Sequence, residues 1–328
     1  MAEPGAVWTE GGSRVLDFGG AGPAVLFVPS LVNRAHILDL MPGQSMMRWL
    51  AAHGFRPLLL DWGWPDAAER QFTLTDYTAG RLGRAIEALQ PDVLAGYCMG
   101  GMLALAAALR QPASVRGLVL LATPWDFHAE NADAAIRLGA MLPLLEPLMQ
   151  ATGTMPVDAL QALFAAIDPG GIAAKYRAFG AMEQASPAAA RFVALEDWLN
   201  DGVPLAAPVA REALAGWYGA NTPARGEWRI AGEAVRPGDL SLPCFAAVPG
   251  QDRIVPPASA LALAGMIPAA VVHRPASGHI GMAAGPRAEA GLWVPLLDWL
   301  HTLFPDSRWQ TARDRLDVKN AEARHSEP

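Results

Sequence analysis

The chain has 328 residues, of which 52% are hydrophobic and 17% are charged, and its formal net charge is −7. Binding to nucleic acid requires clustered Lys and Arg side chains that neutralise phosphates, so this acidic balance excludes nucleic acid as an expected partner. The longest apolar stretches, residues 138–149 and 261–272, are too short to span a membrane, and each contains a proline.

The N-terminal residues and the cysteines indicate a cellular compartment. Residues 1–7 contain the acidic Glu3 and lack the basic and apolar regions of a signal sequence. There are two cysteines, Cys98 and Cys244. Cys244 lies in an apolar stretch typical of a buried strand, and a disulfide would consume the thiol of Cys98. We therefore expect a reducing, cytoplasmic location.

The predicted elements alternate between strands and helices along most of the chain. This alternation predicts an α/β fold with a mostly parallel sheet that is covered by helices on both faces. Ligands in such sheets bind beyond the carboxyl ends of the strands. The predicted elements in chain order are an antiparallel pair (7–18), a strand (24–28), a helix (45–53), a strand (57–60), a helix (75–89), a strand (92–95), a helix (101–109), three strands (115–121, 242–248 and 270–273) and a helix (288–304).

The strand signal disappears between residue 131 and about residue 224. This segment is rich in Ala, Leu, Met and Pro and has a helical pattern. An insertion of this kind between two strands predicts a helical cap or lid over a site, although an ordinary packed subdomain explains the same composition. The predicted division is a core of residues 1–130 and 225–304, a cap of residues 131–224 and a polar tail of residues 305–328.

The most informative motif is Gly-Tyr-Cys-Met-Gly-Gly at residues 96–101. It lies between a predicted strand and a predicted helix, where a nucleophile elbow lifts its central residue to the helix N-terminus. Free backbone N–H groups and the helix dipole favour a thiolate at that position. A buried structural cysteine in a glycine-rich turn is the alternative. The strand–turn–helix context favours a nucleophilic Cys98 and an acyl-transfer enzyme.

A cysteine nucleophile requires a base, and the base requires a group that orients it. In an elbow fold the acid and the histidine follow the nucleophile in loops after later strands. Asp252 and His279 occupy those two loops, although a helix-capping aspartate and a surface histidine are the alternatives. Since both occur in the expected order, we predict the triad Cys98–Asp252–His279. No spacing of metal ligands and no phosphate-binding glycine loop is present, so neither a metal nor a cofactor is expected.

The oxyanion formed during acyl transfer requires two backbone donors. One should be the N–H of Met99, the residue after the nucleophile, and the other should lie in the loop after strand 24–28. In that loop Pro29 cannot donate, and Leu31 or Val32 is the predicted donor. An ordinary strand-to-helix turn is the alternative for this loop.

With these residues in place, the chain resembles the catalytic subunit of polyhydroxyalkanoate synthases, especially the short class III type. The resemblance extends from about residue 23 to residue 300. The residues after Asp252 depart from the family pattern, because Arg253 stands where the family usually has histidine. The matching motifs are Leu-Val-Asn-Arg (31–34), Asp-Trp-Gly-Trp-Pro-Asp (61–66), Thr-Leu-Thr-Asp-Tyr (73–77), the elbow (96–101), Thr-Pro-Trp-Asp-Phe (123–127), Gln-Asp-Arg-Ile-Val-Pro-Pro (251–257) and Gly-His-Ile-Gly (278–281).

The resemblance implies an α/β-hydrolase fold and polymerisation of 3-hydroxyacyl-coenzyme A through a thioester on Cys98, with release of coenzyme A. It places the acid on Asp252 and the base on His279. The growing polyester is the second implied ligand, and a second synthase subunit and a homodimer are the candidate protein partners. The implied location is the cytoplasm, at the surface of polyester granules.

Two other functions use the same features. A thioesterase or polyester depolymerase could act through the same three residues and pass the acyl group to water. A non-catalytic granule-associated protein could retain the fold without the chemistry. An intact triad favours an enzyme over the second alternative.

Overall fold

The computed structural model describes residues 1–165 and 169–305 and is built around one eight-stranded sheet. The strands lie in the order β1-β2-β4-β3-β5-β6-β7-β8, and only the pairs β1–β2 and β2–β4 are antiparallel. The predicted mostly parallel sheet with its antiparallel opening pair is confirmed. The strands are β1 (Gly5–Glu10), β2 (Ser13–Asp17), β3 (Ala24–Val28), β4 (Arg56–Asp61), β5 (Val93–Tyr97), β6 (Gly117–Leu121), β7 (Cys244–Ala247) and β8 (Ala270–His273).

Helices cover both faces of this sheet, as predicted. Three-residue and four-residue 3₁₀ turns and three π-helical segments (Asp76–Leu82, Glu212–Gly219 and Glu289–Trp293) complete the helical structure of the described residues. The α-helices are α1 (Met46–Ala52), α2 (Gly83–Leu89), α3 (Met99–Arg110), α4 (Ala132–Gly139), α5 (Leu142–Thr152), α6 (Val157–Ala165), α7 (Pro169–Gly180), α8 (Pro187–Asn200), α9 (Ala207–Arg211), α10 (Pro257–Met266), α11 (His279–Ala284) and α12 (Val294–Leu303).

The central strands are continuous apolar runs because both of their faces are buried. In β3, Leu26 and Val28 pack into the core under α2 and α3, whereas Val25 and Phe27 pack into the core under α1 and α12. This division follows from the two-residue period of a strand, which sends successive side chains to opposite faces. The two cores pack against both faces of β3, β5 and β6, and this packing fixes the positions at which the loops after these strands begin.

Two predicted helices contain π-helical turns. The predicted helix 75–89 is π-helical over Asp76–Leu82 before α2, and the predicted helix 288–304 is π-helical over Glu289–Trp293 before α12. In the second case Pro295 lies two residues after the π-helical segment, and it lacks the N–H that an α-helical bond to Gly291 would need. A wider turn is one way for a helix to accommodate such a gap.

The segment between β6 and β7 contains α4 to α9, in agreement with its helical pattern. It also contains four short strands that the sequence pattern does not indicate. They form two antiparallel pairs, Thr154–Met155 with Leu205–Ala206 and Arg229–Ile230 with Glu233–Ala234. Strands of two residues are too short to show an alternating pattern, so the sequence gives no local signal for them. The boundaries of a separate cap at residues 131 and 224 stay a prediction.

Two further expectations concern the outer parts of the chain. From residue 306 onward, the predicted polar tail lies outside the described residues. Within residues 1–165 and 169–305, no helix has the length and apolar character that crossing a membrane would require.

Candidate active site

Cys98 lies between β5 and α3 in a backbone conformation that few residues adopt. Its φ is +57° and its ψ is −129°. The N–H of Cys98 donates to the carbonyl of Leu121 at 2.8 Å, and its own carbonyl accepts from Gly101 N–H at 2.9 Å. Strained backbone of this kind persists where surrounding contacts hold it, and it concentrates at functional sites. The turn has the geometry predicted for a nucleophile elbow.

The glycines beside the elbow are required by close packing. A Cβ atom on Gly96 would collide with the Cα of Gly101, and a Cβ atom on Gly100 would collide with the carbonyl oxygens of Val28 and Pro29. Because α3 starts directly against β3 and β5, no side chain fits at either position. This packing brings the N-terminus of α3 beside the loop that follows β3.

Asp252 and His279 form a buried pair in the two loops predicted for them. Nδ1 of His279 donates to Oδ2 of Asp252 at 2.6 Å, and the Asp252 side chain has no exposed surface. The other carboxylate oxygen accepts the N–H groups of Ile254 and Val255, each at 2.9 Å. Backbone donors thus fix the carboxylate, and the carboxylate fixes the orientation of the imidazole.

His279 also lies beside the elbow, because it lines the same cavity as Cys98 and the Cys98 side chain acts on its imidazole. Burial alone would lower the pKa of the His279 imidazole. Electrostatic interaction with Cys98 and the hydrogen bond to Asp252 outweigh burial and raise that pKa to about 10. At neutral pH the His279 imidazole is therefore protonated. The structure brings together all three residues of the predicted triad.

Tyr97 contacts His279, and this contact was not predicted from the sequence. Its hydroxyl donates to the carbonyl of His279 at 3.2 Å, and the two rings lie 5.1 Å apart. Burial raises the pKa of the Tyr97 phenol well above its usual value, and the charges of Cys98 and Asp252 add to this effect. Tyr97 remains a neutral donor. The available signal was its place as the variable residue of the Gly-x-Cys motif.

The predicted oxyanion donors lie at the same edge of the sheet. Met99 is the first residue of α3, where an N–H has no acceptor within the helix. The N–H of Val32 donates to Oγ of Ser30 at 3.2 Å and is thereby engaged. Of the two alternatives in the loop after β3, Leu31 has the N–H without an acceptor among the described residues.

A cavity of about 520 Å³ opens above Cys98 and His279. The core contributes the loop after β3 and the residues around the triad, and α6, α7 and α8 contribute the opposite wall. A cavity of this size suits a small acyl group with part of its carrier. Its apolar lining includes Val32, Ile37, Phe164, Trp198, Leu199 and Ile280, and its polar lining includes Asn33, Arg34, Gln161, Lys175, Tyr176, Glu196, Asn200 and Arg253.

The second thiol differs from the first in its surroundings. Cys244 is fully buried in β7, and burial raises the pKa of its thiol to about 12. It is an inert core residue, as expected, and both cysteines are free thiols. Among residues 1–165 and 169–305, no group of three or more His, Cys, Asp or Glu side chains is arranged to hold a metal ion.

Comparison with known proteins gives a family. The model of the alpha/beta hydrolase family matches residues 25–292. The poly(3-hydroxyalkanoate) polymerase subunit PhaC of Synechocystis is 30% identical over 290 residues, which are 84% of this chain and 77% of that protein. PhaC of Haloferax mediterranei is 30% identical over 287 residues, which are 84% of this chain and 58% of that protein.

Solved structures that share the fold are more distant in sequence. A thermophilic esterase from Thermogutta terrifontis has a TM-score of 0.52 at 19% identity and covers 92% of this chain and 98% of its own. The thioesterase domain from the curacin biosynthetic pathway has a TM-score of 0.55 at 17% identity, with 87% and 95% covered. The architecture and the sequence matches agree, and the chain belongs to the alpha/beta hydrolase family and, within it, to the poly(3-hydroxyalkanoate) polymerases.

Proposed function

We propose that this protein polymerises 3-hydroxyacyl groups from coenzyme A thioesters, with Cys98 as nucleophile, His279 as acid and base, and Asp252 as the group that orients His279. One observation carries the proposal. His279 is hydrogen-bonded to the buried carboxylate of Asp252 and lines the same cavity as Cys98, whose side chain acts on the His279 imidazole. The naming of the relatives as polymerase subunits supports the same activity.

In the proposed first step the thiolate of Cys98 attacks the thioester carbonyl. A carbon–sulfur bond to Cys98 forms and the bond to coenzyme A breaks. The imidazolium of His279 gives its Nε2 proton to the departing thiolate, which leaves as coenzyme A thiol. Because His279 holds this proton through neutral pH, it can protonate the leaving group as soon as the bond to coenzyme A breaks.

In the second step neutral His279 removes the proton from the hydroxyl of another acyl unit. The resulting alkoxide attacks the thioester on Cys98, an ester bond forms, and the Cys98 thiolate is expelled. His279 keeps the proton, so the imidazolium that the next acylation requires is restored. The N–H groups of Met99 and Leu31 are the proposed oxyanion donors in both steps, with Val32 as the less suitable alternative since its N–H is engaged by Ser30.

A cysteine suits transfer to an alcohol. The first step exchanges one thioester for another, so it is nearly balanced in free energy and the acyl group stays activated. An ester on serine would be a poorer donor to a second hydroxyl. No cofactor or metal enters this chemistry, since a thiolate, an imidazole and two backbone donors supply every proton and charge that it needs.

Water competes with the alcohol for the same acyl-enzyme, so the site must limit its access. We assign this role to residues 131–224 as a cap on the core formed by residues 1–130 and 225–304. The contribution of α6, α7 and α8 to the cavity wall supports the assignment. As in relatives named as subunits, we propose a second synthase subunit or a homodimer as the working assembly, at the surface of cytoplasmic polyester granules.

The proposal is tested with purified protein and 3-hydroxybutyryl-coenzyme A, by following release of coenzyme A, free hydroxy acid and insoluble polymer. Coenzyme A release with polymer is the expected result, and addition of cell extract should raise the rate if a second subunit is required. Cys98→Ala should abolish release, whereas Cys244→Ala is the matched control and should retain it. Free hydroxy acid as the sole acyl product would indicate a thioesterase or depolymerase. Equal release by Cys98→Ala and the wild type would remove the triad from the reaction.

A further inference from the structure

The loop that contains the second proposed oxyanion donor is hydrogen-bonded to a segment that is distant in sequence. This loop, residues 29–34, follows β3, and we call it the oxyanion loop. Its neighbour is residues 198–203, the end of α8 and the turn after it, which we call the α8 clasp. The two segments are distant in sequence, and their contacts join the part of the chain between β6 and β7 to the core beside Cys98.

Four contacts connect the two segments. The indole N–H of Trp198 donates to the carbonyl of Arg34 at 2.8 Å, and Val203 N–H donates to the carbonyl of Val32 at 3.3 Å. Asn33 and Gly202 form an antiparallel bridge. The guanidinium of Arg34 pairs with the carboxylate of Asp201 at 3.3 Å. Together these contacts pair the oxyanion loop along its length with the α8 clasp.

The four contacts differ in how much they are expected to stabilise the loop. Trp198 is only 3% exposed and packs into the core under α1 and α12, so loss of its N–H leaves a partly buried carbonyl without its donor. The Arg34–Asp201 pair is exposed, with 28% and 49% of the two side chains accessible, and exposed pairs contribute little. Trp198 is therefore the main anchor of the clasp.

The clasp acts on the peptide units next to the proposed donor. The carbonyl of Val32 is held by Val203, and the N–H of Val32 is held by Ser30 within the loop. With both groups of Val32 held, the two peptide units that follow Leu31 are fixed, which restricts the backbone next to the proposed donor. We propose that Trp198 and the rest of the α8 clasp are positioning residues, which hold the oxyanion loop in the conformation that stabilises the transition state. This inference rests on the proposed function.

The test compares Trp198→Phe with wild type. Phenylalanine keeps the aromatic packing and removes the N–H. Three quantities are measured: deuterium exchange of the oxyanion loop, coenzyme A release from 3-hydroxybutyryl-coenzyme A, and alkylation of Cys98 by iodoacetamide, which forms no oxyanion. Glu146→Gln is the matched control, since it weakens the 2.7 Å pair with Arg211 between α5 and α9 and does not touch the loop.

Trp198→Phe should exchange faster in the oxyanion loop and release coenzyme A roughly 10- to 100-fold more slowly, mainly through kcat, with alkylation unchanged. Glu146→Gln should match wild type in all three measurements. Asp201→Asn, which keeps a hydrogen-bonding group, should have a much smaller effect than Trp198→Phe. Unchanged loop exchange in Trp198→Phe, unchanged release, or a parallel loss of release and alkylation would each overturn the inference.

Failure of the proposed function gives a different result. If wild type cleaves p-nitrophenyl butyrate but releases no coenzyme A, the polymerase proposal fails. The comparison of Trp198→Phe with wild type then runs on the ester, whose cleavage needs the same oxyanion donors. The exchange measurement depends on neither substrate.

Discussion

Replacement of Asp252 by asparagine tests how the triad is oriented. In the native site Oδ1 of Asp252 accepts the N–H groups of Ile254 and Val255, and Oδ2 accepts Nδ1–H of His279. In Asp252→Asn the amide oxygen should take the place of Oδ1, because the N–H groups of Ile254 and Val255 require an acceptor. The amide NH₂ then faces Nδ1–H of His279, and two hydrogen-bond donors point at each other.

The imidazole can relieve this conflict only by giving up the proton on Nδ1. It then carries its proton on Nε2, the nitrogen that faces Cys98, and can no longer accept the thiol proton. The variant also loses the carboxylate that helps to raise the pKa of His279 to about 10, so that pKa should fall. We expect the acylation rate to fall roughly 10³-fold or more, which is about 4 kcal/mol of transition-state stabilisation.

The assay is single-turnover release of coenzyme A from 3-hydroxybutyryl-coenzyme A, followed with a thiol reagent after separation from protein. Asp126→Asn is the matched control. Asp126 lies in the loop after β6, and its carboxylate accepts the N–H of His128 and the side-chain amide of Asn221, bonds that an asparagine oxygen can still accept. An acylation rate of Asp252→Asn within about tenfold of wild type, with both variants folded, would refute the orienting role of the carboxylate.

Three further predictions concern stability and are measured by chemical denaturation. Gly100→Ala should lower the free energy of unfolding by about 2 kcal/mol or more because its Cβ collides with backbone carbonyls, whereas Gly291→Ala, with open space around its Cβ, should be nearly neutral. Glu69→Gln should lower the free energy of unfolding by about 3 kcal/mol, because it removes the charge that pairs at 2.7 Å with the buried Arg81. A decrease of less than about 1 kcal/mol would contradict this prediction. Between pH 6.5 and about 10 native His279 binds more protons than the unfolded chain, so its contribution is complete below pH 6.5 and is lost as pH rises. The stability difference between wild type and His279→Gln should therefore shrink over that range, and a difference that grows would contradict the raised pKa.

The sheet and the triad were accessible to sequence reasoning because their signals are local. A continuous apolar run bounded by turn residues indicates a buried strand, and the spacing of Gly96, Cys98 and Gly100 indicates a sharp turn before a helix. Chain order then placed Asp252 and His279 at the same edge of the sheet. Sequence reasoning had no comparable signal for Tyr97, whose hydroxyl meets the His279 carbonyl across 182 positions of chain.

The contacts of the oxyanion loop, residues 29–34, could not be predicted from local sequence patterns. From the sequence, Leu31 and Val32 are equal candidates for the predicted donor, and only the structure shows that the Ser30 hydroxyl engages the N–H of Val32. Its support by Trp198 joins residues 164 positions apart, and no periodicity or motif records such a contact. The short strands within residues 131–224 escaped prediction for the same reason.

The amino-acid sequence by itself determined the order of strands and helices, the sharp turn at Cys98 and the two loops in which Asp252 and His279 lie. These follow from backbone sterics, hydrophobic periodicity and the direction of parallel strands, all of which act along the chain. Tertiary structure alone decided the raised pKa of His279, the contribution of α6, α7 and α8 to the cavity wall, and the contacts between residues 29–34 and 198–203. Burial and electrostatic interaction depend on distances between segments far apart in sequence, and only the folded chain sets those distances.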